Sequence, residues 1–226
     1  MTYIVTSEYD LTQVAAPRLP AATNDYDPNY MNQFGNVLRL YFNQLDNVLR
    51  QLKVSTTGVP AIDGSGVRFP YGAFSSDQTQ TTTANTATLM TLNTTDFSNG
   101  VSIASSKITV ATAGIYNLQF SVQFQNTDNQ IQDISIWLKQ NGTDIPGSTG
   151  FVSIPARKSA SVGEEAHEII GWNYFLSMTA GQYVEIYWST TLASVTIQYY
   201  PASTGPVRPS TQSVVATMSF VSALAT

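Results

Sequence analysis

His167 is the one histidine of the chain, and it sits in the acidic run Glu164-Glu165-Ala166-His167-Glu168. If that run is a strand, Glu165 and His167 share one face while Glu164 and Glu168 take the other. An imidazole beside a carboxylate offers general-base chemistry or the beginning of a zinc site. Zinc needs at least one further ligand, and the sequence places none alongside, so a polar strand or interface position accounts for His167 better. Carboxylate chemistry of the glycosidase type needs two acids, which distance in sequence would hide. Asp96, Asp128 and Asp144 lie beside turn formers, and turn chemistry explains them adequately. No phosphate loop, nucleotide fingerprint or nucleophile elbow occurs. The chain has no cysteine, which removes thiolate nucleophiles, disulfides and Cys-based zinc sites together. The reading is no enzyme, no cofactor and no metal. Its alternative is a glycan-processing enzyme on a β scaffold.

The aromatic residues carry more information. There are twelve Tyr and three Trp, and several fall on the polar phase of their segments. Trp137, Tyr183 and Tyr187 lie opposite the apolar phase, and Tyr199 and Tyr200 adjoin Pro201. Outward aromatics among neutral polar residues suit a carbohydrate or a protein surface, so Trp137, Tyr183, Tyr187 and Tyr200 are the candidate recognition residues. Lining an interface between copies of the chain explains them equally.

Charged residues make up 11% of the chain, well below the ~25% of an average protein, so Ser, Thr, Asn and Gln must wet much of the surface. The formal net charge is −5, and Arg157-Lys158 is the one adjacent pair of bases. Phosphate binding needs clustered bases, so nucleic acid is not an expected partner. No apolar run approaches the ~18 residues of a membrane span, and Met1 to Glu8 lacks the basic and apolar regions of a signal peptide.

Four segments must position these residues. Residues 1–27, with Pro17 and Pro20 and the apolar Tyr3, Ile4, Val5, Leu11, Val14 and Leu19, read as an extended arm that docks on its own trimer or on a larger assembly, a frayed terminus being the other reading. A helix is predicted over 28–57. Asp27 suits its N-cap, Pro28 its first position, and Arg50 and Lys53 its negative end. Apolar residues recur at Met31, Phe34, Leu38, Tyr41, Leu45, Val48 and Leu52, alternating steps of three and four, the spacing of a coiled-coil seam. Val37, Leu40, Phe42 and Leu49 widen the stripe. These identities do not fix the number of helices, and an amphipathic helix packed on its own domain is the other reading. Residues 58–66, Gly58-Val59-Pro60-Ala61-Ile62-Asp63-Gly64-Ser65-Gly66, read as a linker.

From 67 to 226 the period becomes two. Tyr116, Leu118, Phe120, Val122 and Phe124 alternate with Asn117, Gln119, Ser121 and Gln123, and similar runs start at Ile134, Ile170, Val184, Val195 and Val214. Phe69–Phe74, Ala87–Leu92 and Val101–Thr112 fit strands more weakly. Asn99-Gly100, Ala113-Gly114, Asn141-Gly142 and Ala180-Gly181 supply turn residues. About eight to ten strands with no helical interruption mean a sandwich, jelly roll or closed barrel.

Thr112-Ala113-Gly114-Ile115-Tyr116-Asn117-Leu118-Gln119-Phe120-Ser121-Val122 resembles the "G-x-Y-x-F-x-F" strand of the complement-head and tumour-necrosis-factor-like jelly rolls. Leu176 to Ile186, with Gly181-Gln182-Tyr183-Val184, is similar to their "L-x-x-G-D-x-V-x-L" turn and strand, with Gln182 in place of Asp. Met218-Ser219-Phe220-Val221 is similar to the closing strand, without its Gly. The resemblance covers 67–226 and implies an antiparallel jelly-roll head that trimerises, often behind a trimeric stalk. Some members bind calcium near the trimer axis, but no matching carboxylate cluster carries that over. The stretch from Asp27 to Asn47 resembles the N-terminal helix of tailed-phage virion proteins, notably of cyanophages. Together these imply a mainly β, homotrimeric virion structural protein: a fibre, spike or capsid decoration. Its arm would hold other virion proteins, and its head would touch the host surface, with a surface glycan as the further partner. A bacterial extracellular adhesion or signalling module is the remaining alternative.

Overall fold

The computed structural model describes residues 17–21, 25–51, 69–161 and 163–224, and of 47–51 the backbone alone. The chain falls into two compact units that divide between Arg68 and Phe69. The first contains one helix, α1, Pro28–Gln51. It starts where the sequence places it. The Asn29 amide donates to Asp27 Oδ1 at 2.8 Å and the Met31 amide to the Asp27 carbonyl at 3.1 Å, so the capping residue satisfies amides of the first turn. The predicted arm up to residue 16, the last helical residues 52–57 and the linker 58–66 lie outside the described residues.

The second unit is mainly β. In chain order its strands are β1 Tyr71–Ser76, β2 Thr88–Leu89, β3 Thr94–Asn99, β4 Val101–Ala104 and β5 Lys107–Val110. Then come β6 Gly114–Asn126, β7 Gln132–Gln140, β8 Thr143–Asp144, β9 Gly150–Ile154 and β10 Ala166–Met178. The last are β11 Tyr183–Thr190, β12 Val195–Ile197, β13 Ser203–Thr204, β14 Val207–Arg208 and β15 Val214–Ser222. One sheet runs β10-β6-β15-β1-β3, with β12 also on β6; the other runs β4-β5-β11-β7-β8, with β2 on β11 and β9 on β7. Strands β13 and β14 form a separate hairpin. All these pairings are antiparallel.

The core lies between the two sheets, and the period-two pattern explains which residues fill it. Tyr116, Leu118, Phe120, Val122 and Phe124 of β6 are all buried, as are Ile134, Ile136 and Leu138 of β7 and Val184, Ile186 and Trp188 of β11. Val214, Ala216 and Met218 of β15 close the same layer. Phe124 and Trp188 meet across it at 5.7 Å, and Phe120 stacks at 6.3 Å on Trp172, its register partner on the neighbouring strand β10. Gly150 lies so close to the Trp172 ring that a Cβ there would overlap it, which fixes how β9 faces β10 across the sandwich.

Two turn assignments need correction. Gly114 is not a turn glycine. It opens β6, is buried, and must be small because the Phe220 ring covers it and the Ser222 carbonyl would lie 2.9 Å from an added Cβ. Gly100 does separate two strands with a positive φ, +66°, and carries the chain from β3 in one sheet to β4 in the other. Asp96 sits within β3, where Ser75 Oγ donates to its carboxylate at 3.1 Å. Asn141-Gly142 does form the β7–β8 hairpin, with φ +51° and +80°. Gly181 turns β10 into β11, and there the Gln182 side chain accepts the Thr179 amide at 2.9 Å, closing the turn.

Candidate functional site

On α1 the heptad residues form one stripe. Phe34, Leu38, Tyr41 and Leu45 are half-buried, and Met31 is 48% exposed. Leu40 and Phe42 beside them are exposed at 63% and 59%. No helix residue whose side chain is described is buried. The side chain of Val48, and all of Leu52, lie outside the described residues.

The candidate recognition residues fall into two places. Trp137 of β7 and Tyr187 of β11 are register partners on the outer face of the β4-β5-β11-β7-β8 sheet, with ring centroids 5.8 Å apart. Tyr183 follows on the same face two rows along β11. Each tyrosine supports a lysine: Lys139 Nζ stands 4.5 Å from the Tyr187 ring centre and Lys107 Nζ 4.4 Å from that of Tyr183. The hairpin brings Asp144 over this face. Its Oδ1 accepts the Trp137 indole N–H at 2.8 Å and lies 3.5 Å from Lys139 Nζ. That bond fixes the orientation of the indole ring, and Asn141 Oδ1 holds the hairpin to β11 by accepting the Tyr183 amide at 3.0 Å.

Tyr200 is not part of this group. It lies by the first residues of β10, where its hydroxyl is 3.4 Å from His167 Nδ1 and the two rings meet edge to face at 5.7 Å. The Arg208 guanidinium covers its ring at 5.3 Å. Burial raises the Tyr200 phenol above its usual pKa, and the Glu165 charge adds to this while Arg208 opposes it. Glu165 is held below the ordinary carboxylate value by the backbone amides of Glu165 and Gly163, and then by His167 and Arg157.

Sequence reasoning missed two features. Glu185, on β11 between Tyr183 and Tyr187, is only 5% exposed although it belongs to the outward phase. Its register partner is Lys139. The charged residue in an otherwise apolar strand was the available signal. The other is the outer face of the opposite sheet. There the outward residues of β6 and β10 and of their neighbours β15 and β1 include no Lys, Arg, Asp or Glu. A shallow groove of about 420 Å³ crosses it above Gly171, walled by Gln119, Ser121, Asn173 and Thr217. Ile169 and Phe175 of β10 stand exposed on either side of Gly171 at 68% and 58%, and Tyr71 of β1 and Phe97 of β3 are exposed toward the other edge of the sheet at 41% and 62%. The far edge of β10, thirteen residues long, pairs with no other strand among the described residues.

No protein-family model matches the chain, and no curated protein is significantly similar to it.

Proposed function

We propose that the chain is a structural protein of a virion, a homotrimer in which α1 forms a coiled coil and the β unit is a jelly-roll head, displayed as a fibre, spike or capsid decoration. The observation that carries this reading is the helix. A seam at steps of three and four, widened by Leu40 and Phe42, runs along a helix of 24 residues with none of its described side chains buried. Such a helix is marginal by itself in water and is stabilised by partners that cover the stripe.

Three features of the β unit support it. With β2, β3, β4, β8, β12, β13 and β14 set aside, the remaining strands in chain order (β1, β5, β6, β7, β9, β10, β11, β15) fall so that one sheet holds the first, eighth, third and sixth and the other the second, seventh, fourth and fifth. That alternation supports a jelly-roll winding. The charge-free outer face around Gly171, studded with Ile169, Phe175, Phe97 and Tyr71, has the composition of an interface core, where charges are depleted and aromatics enriched. An unpaired edge as long as β10 is also a site that proteins normally protect by covering. The number three rests on the resemblance of the head to trimeric jelly rolls, and the virion on the resemblance of residues 27–47 to phage structural proteins. On this reading the chain binds rather than turns over its ligands.

The test is the full chain carrying Leu38→Glu and Leu45→Glu. Sedimentation velocity should show the assembly falling to single chains while the β-type circular dichroism is kept. An assembly that survives both charges would remove the helix from the reading.

A further inference from the structure

On the face that carries Trp137, side chains of opposite charge alternate across the sheet. Lys107 of β5, Glu185 of β11, Lys139 of β7 and Asp144 of β8 follow one another from strand to strand, for Glu185 is the register partner of Lys139 and Lys139 of Asp144. Lys107 closes the row on the other side, since the adjacent Ile108 pairs with Val184. Tyr183 borders the row on one side, and the Tyr187–Trp137 pair on the other. Two of the four lysines of the whole chain are thus gathered here, each resting on a tyrosine. Glu185 is the decisive member. It is 5% exposed, and its carboxylate has no hydrogen-bond or ion-pair partner among the described residues. Its oxygens are not among the side-chain atoms buried without a partner, so they still meet solvent and stand open as acceptors for the hydroxyls of a ligand.

We propose that this face binds a neutral, hydroxyl-rich saccharide, stacked on Trp137 and hydrogen-bonded along the Lys107–Glu185–Lys139–Asp144 row. The charges decide the class of ligand. Two ammonium groups repel a cationic peptide, two carboxylates repel a polyanion, and the chain's net charge of −5 discourages an acidic polymer further. Sugar hydroxyls are donors and acceptors at once, so they satisfy both signs: they donate to Glu185 and Asp144 and accept from Lys107 and Lys139. The apolar C–H face of a pyranose fits an aromatic ring, and the Trp137 ring is already held in place by its bond to Asp144 at 2.8 Å. Rings and charges both stand on paired strands, so little ordering remains to be done on binding.

The inference rests on the reading of the β unit as an exposed head, and the experiment keeps the two apart. The full chain is titrated with neutral hexasaccharides (malto-, cello-, laminari- and manno-oligomers) and with oligogalacturonate and heparin fragments, its mass being measured in the same buffer. At least one neutral oligomer should bind, and about tenfold or more tightly than either acidic probe. Trp137→Ala and Lys139→Gln should each weaken that binding about tenfold or more, and Tyr200→Phe, remote from the row, should leave it unchanged. Glu185→Gln, if folded, should weaken it too, and the surface variants carry the test if it is not. Failure of every neutral oligomer to bind, tighter binding of an acidic probe, or indifference to Trp137→Ala and Lys139→Gln would each overturn the inference. An assembled chain that binds no neutral sugar refutes the saccharide site alone, whereas a single chain that does bind one refutes the assembly alone.

Discussion

Gly150→Ala is the sharpest probe of how the two sheets face each other. Gly150 lies on β9 and the Trp172 ring on β10 lies against it, so a Cβ at 150 would overlap ring atoms, and the ring must swing out or the strand must move. Trp172 is stacked on Phe120 at 6.3 Å, so its displacement is felt in the core. Overpacking of this kind costs about 1–3 kcal/mol. Against it stands the loss of unfolded-chain entropy when glycine becomes alanine, about 0.4–1 kcal/mol of stabilisation, which applies because Gly150 has no positive φ. The net runs from roughly zero to about 2.6 kcal/mol of destabilisation, at most a fall of several degrees in Tm for a unit of this size. Urea unfolding followed by far-ultraviolet circular dichroism measures it directly. A double-mutant cycle isolates the cause: in a Trp172→Ala background the ring is gone, and Gly150→Ala should then be neutral or mildly stabilising. If Gly150→Ala has the same effect with and without Trp172, the contact between β9 and β10 does not exist and the facing of the sheets at this end is wrong.

Phe120→Ala should cost about 3–5 kcal/mol in the same assay, because the side chain is 4% exposed in the centre of β6, and an unchanged midpoint would mean that its inward phase is wrong. A chain beginning at Val67 should stay soluble and unfold cooperatively with a β-type spectrum, since the buried cluster lies entirely within the second unit; insolubility would show that the first unit completes the core. Tyr200 has its phenol pKa raised in the fold, so the stability it contributes is fully present below the unfolded value near 10.0 and is lost as pH rises through the folded one. Tyr200→Phe should therefore flatten the alkaline fall of Tm, and an unchanged alkaline slope would contradict that.

Much of the scaffold was legible because it follows from local rules. The start of α1 was readable in Asp27-Pro28, since capping and a proline without an amide act within one turn. The long alternation of β6 predicted which of its faces is buried, and the same rule put Trp137, Tyr183 and Tyr187 outward. Features that depend on register between distant strands were not readable. Glu185 reads as an ordinary charge in a strand until β11 is laid beside β7 and β5 and places it between two lysines. Gly114 reads as half of a turn until Phe220 from the last strand lies over it. The β4–β5 turn is made by Ser105 and Ser106 at φ +51° and +61°, a conformation that glycine or asparagine usually announces. Strand β3 has no alternation because it is an edge, largely exposed, with little to distinguish its two faces. Tyr200 was grouped with the other aromatics by type, and only the fold separates it, beside His167 and Arg208.

The central claim is that copies of this chain assemble through α1 and the head, and the mass of the purified full-length chain tests it most directly. Light scattering over a dilution series at micromolar concentration should give about three times the 24.5 kDa of one chain, without decline on dilution. A mass of 24.5 kDa throughout the series would contradict the account.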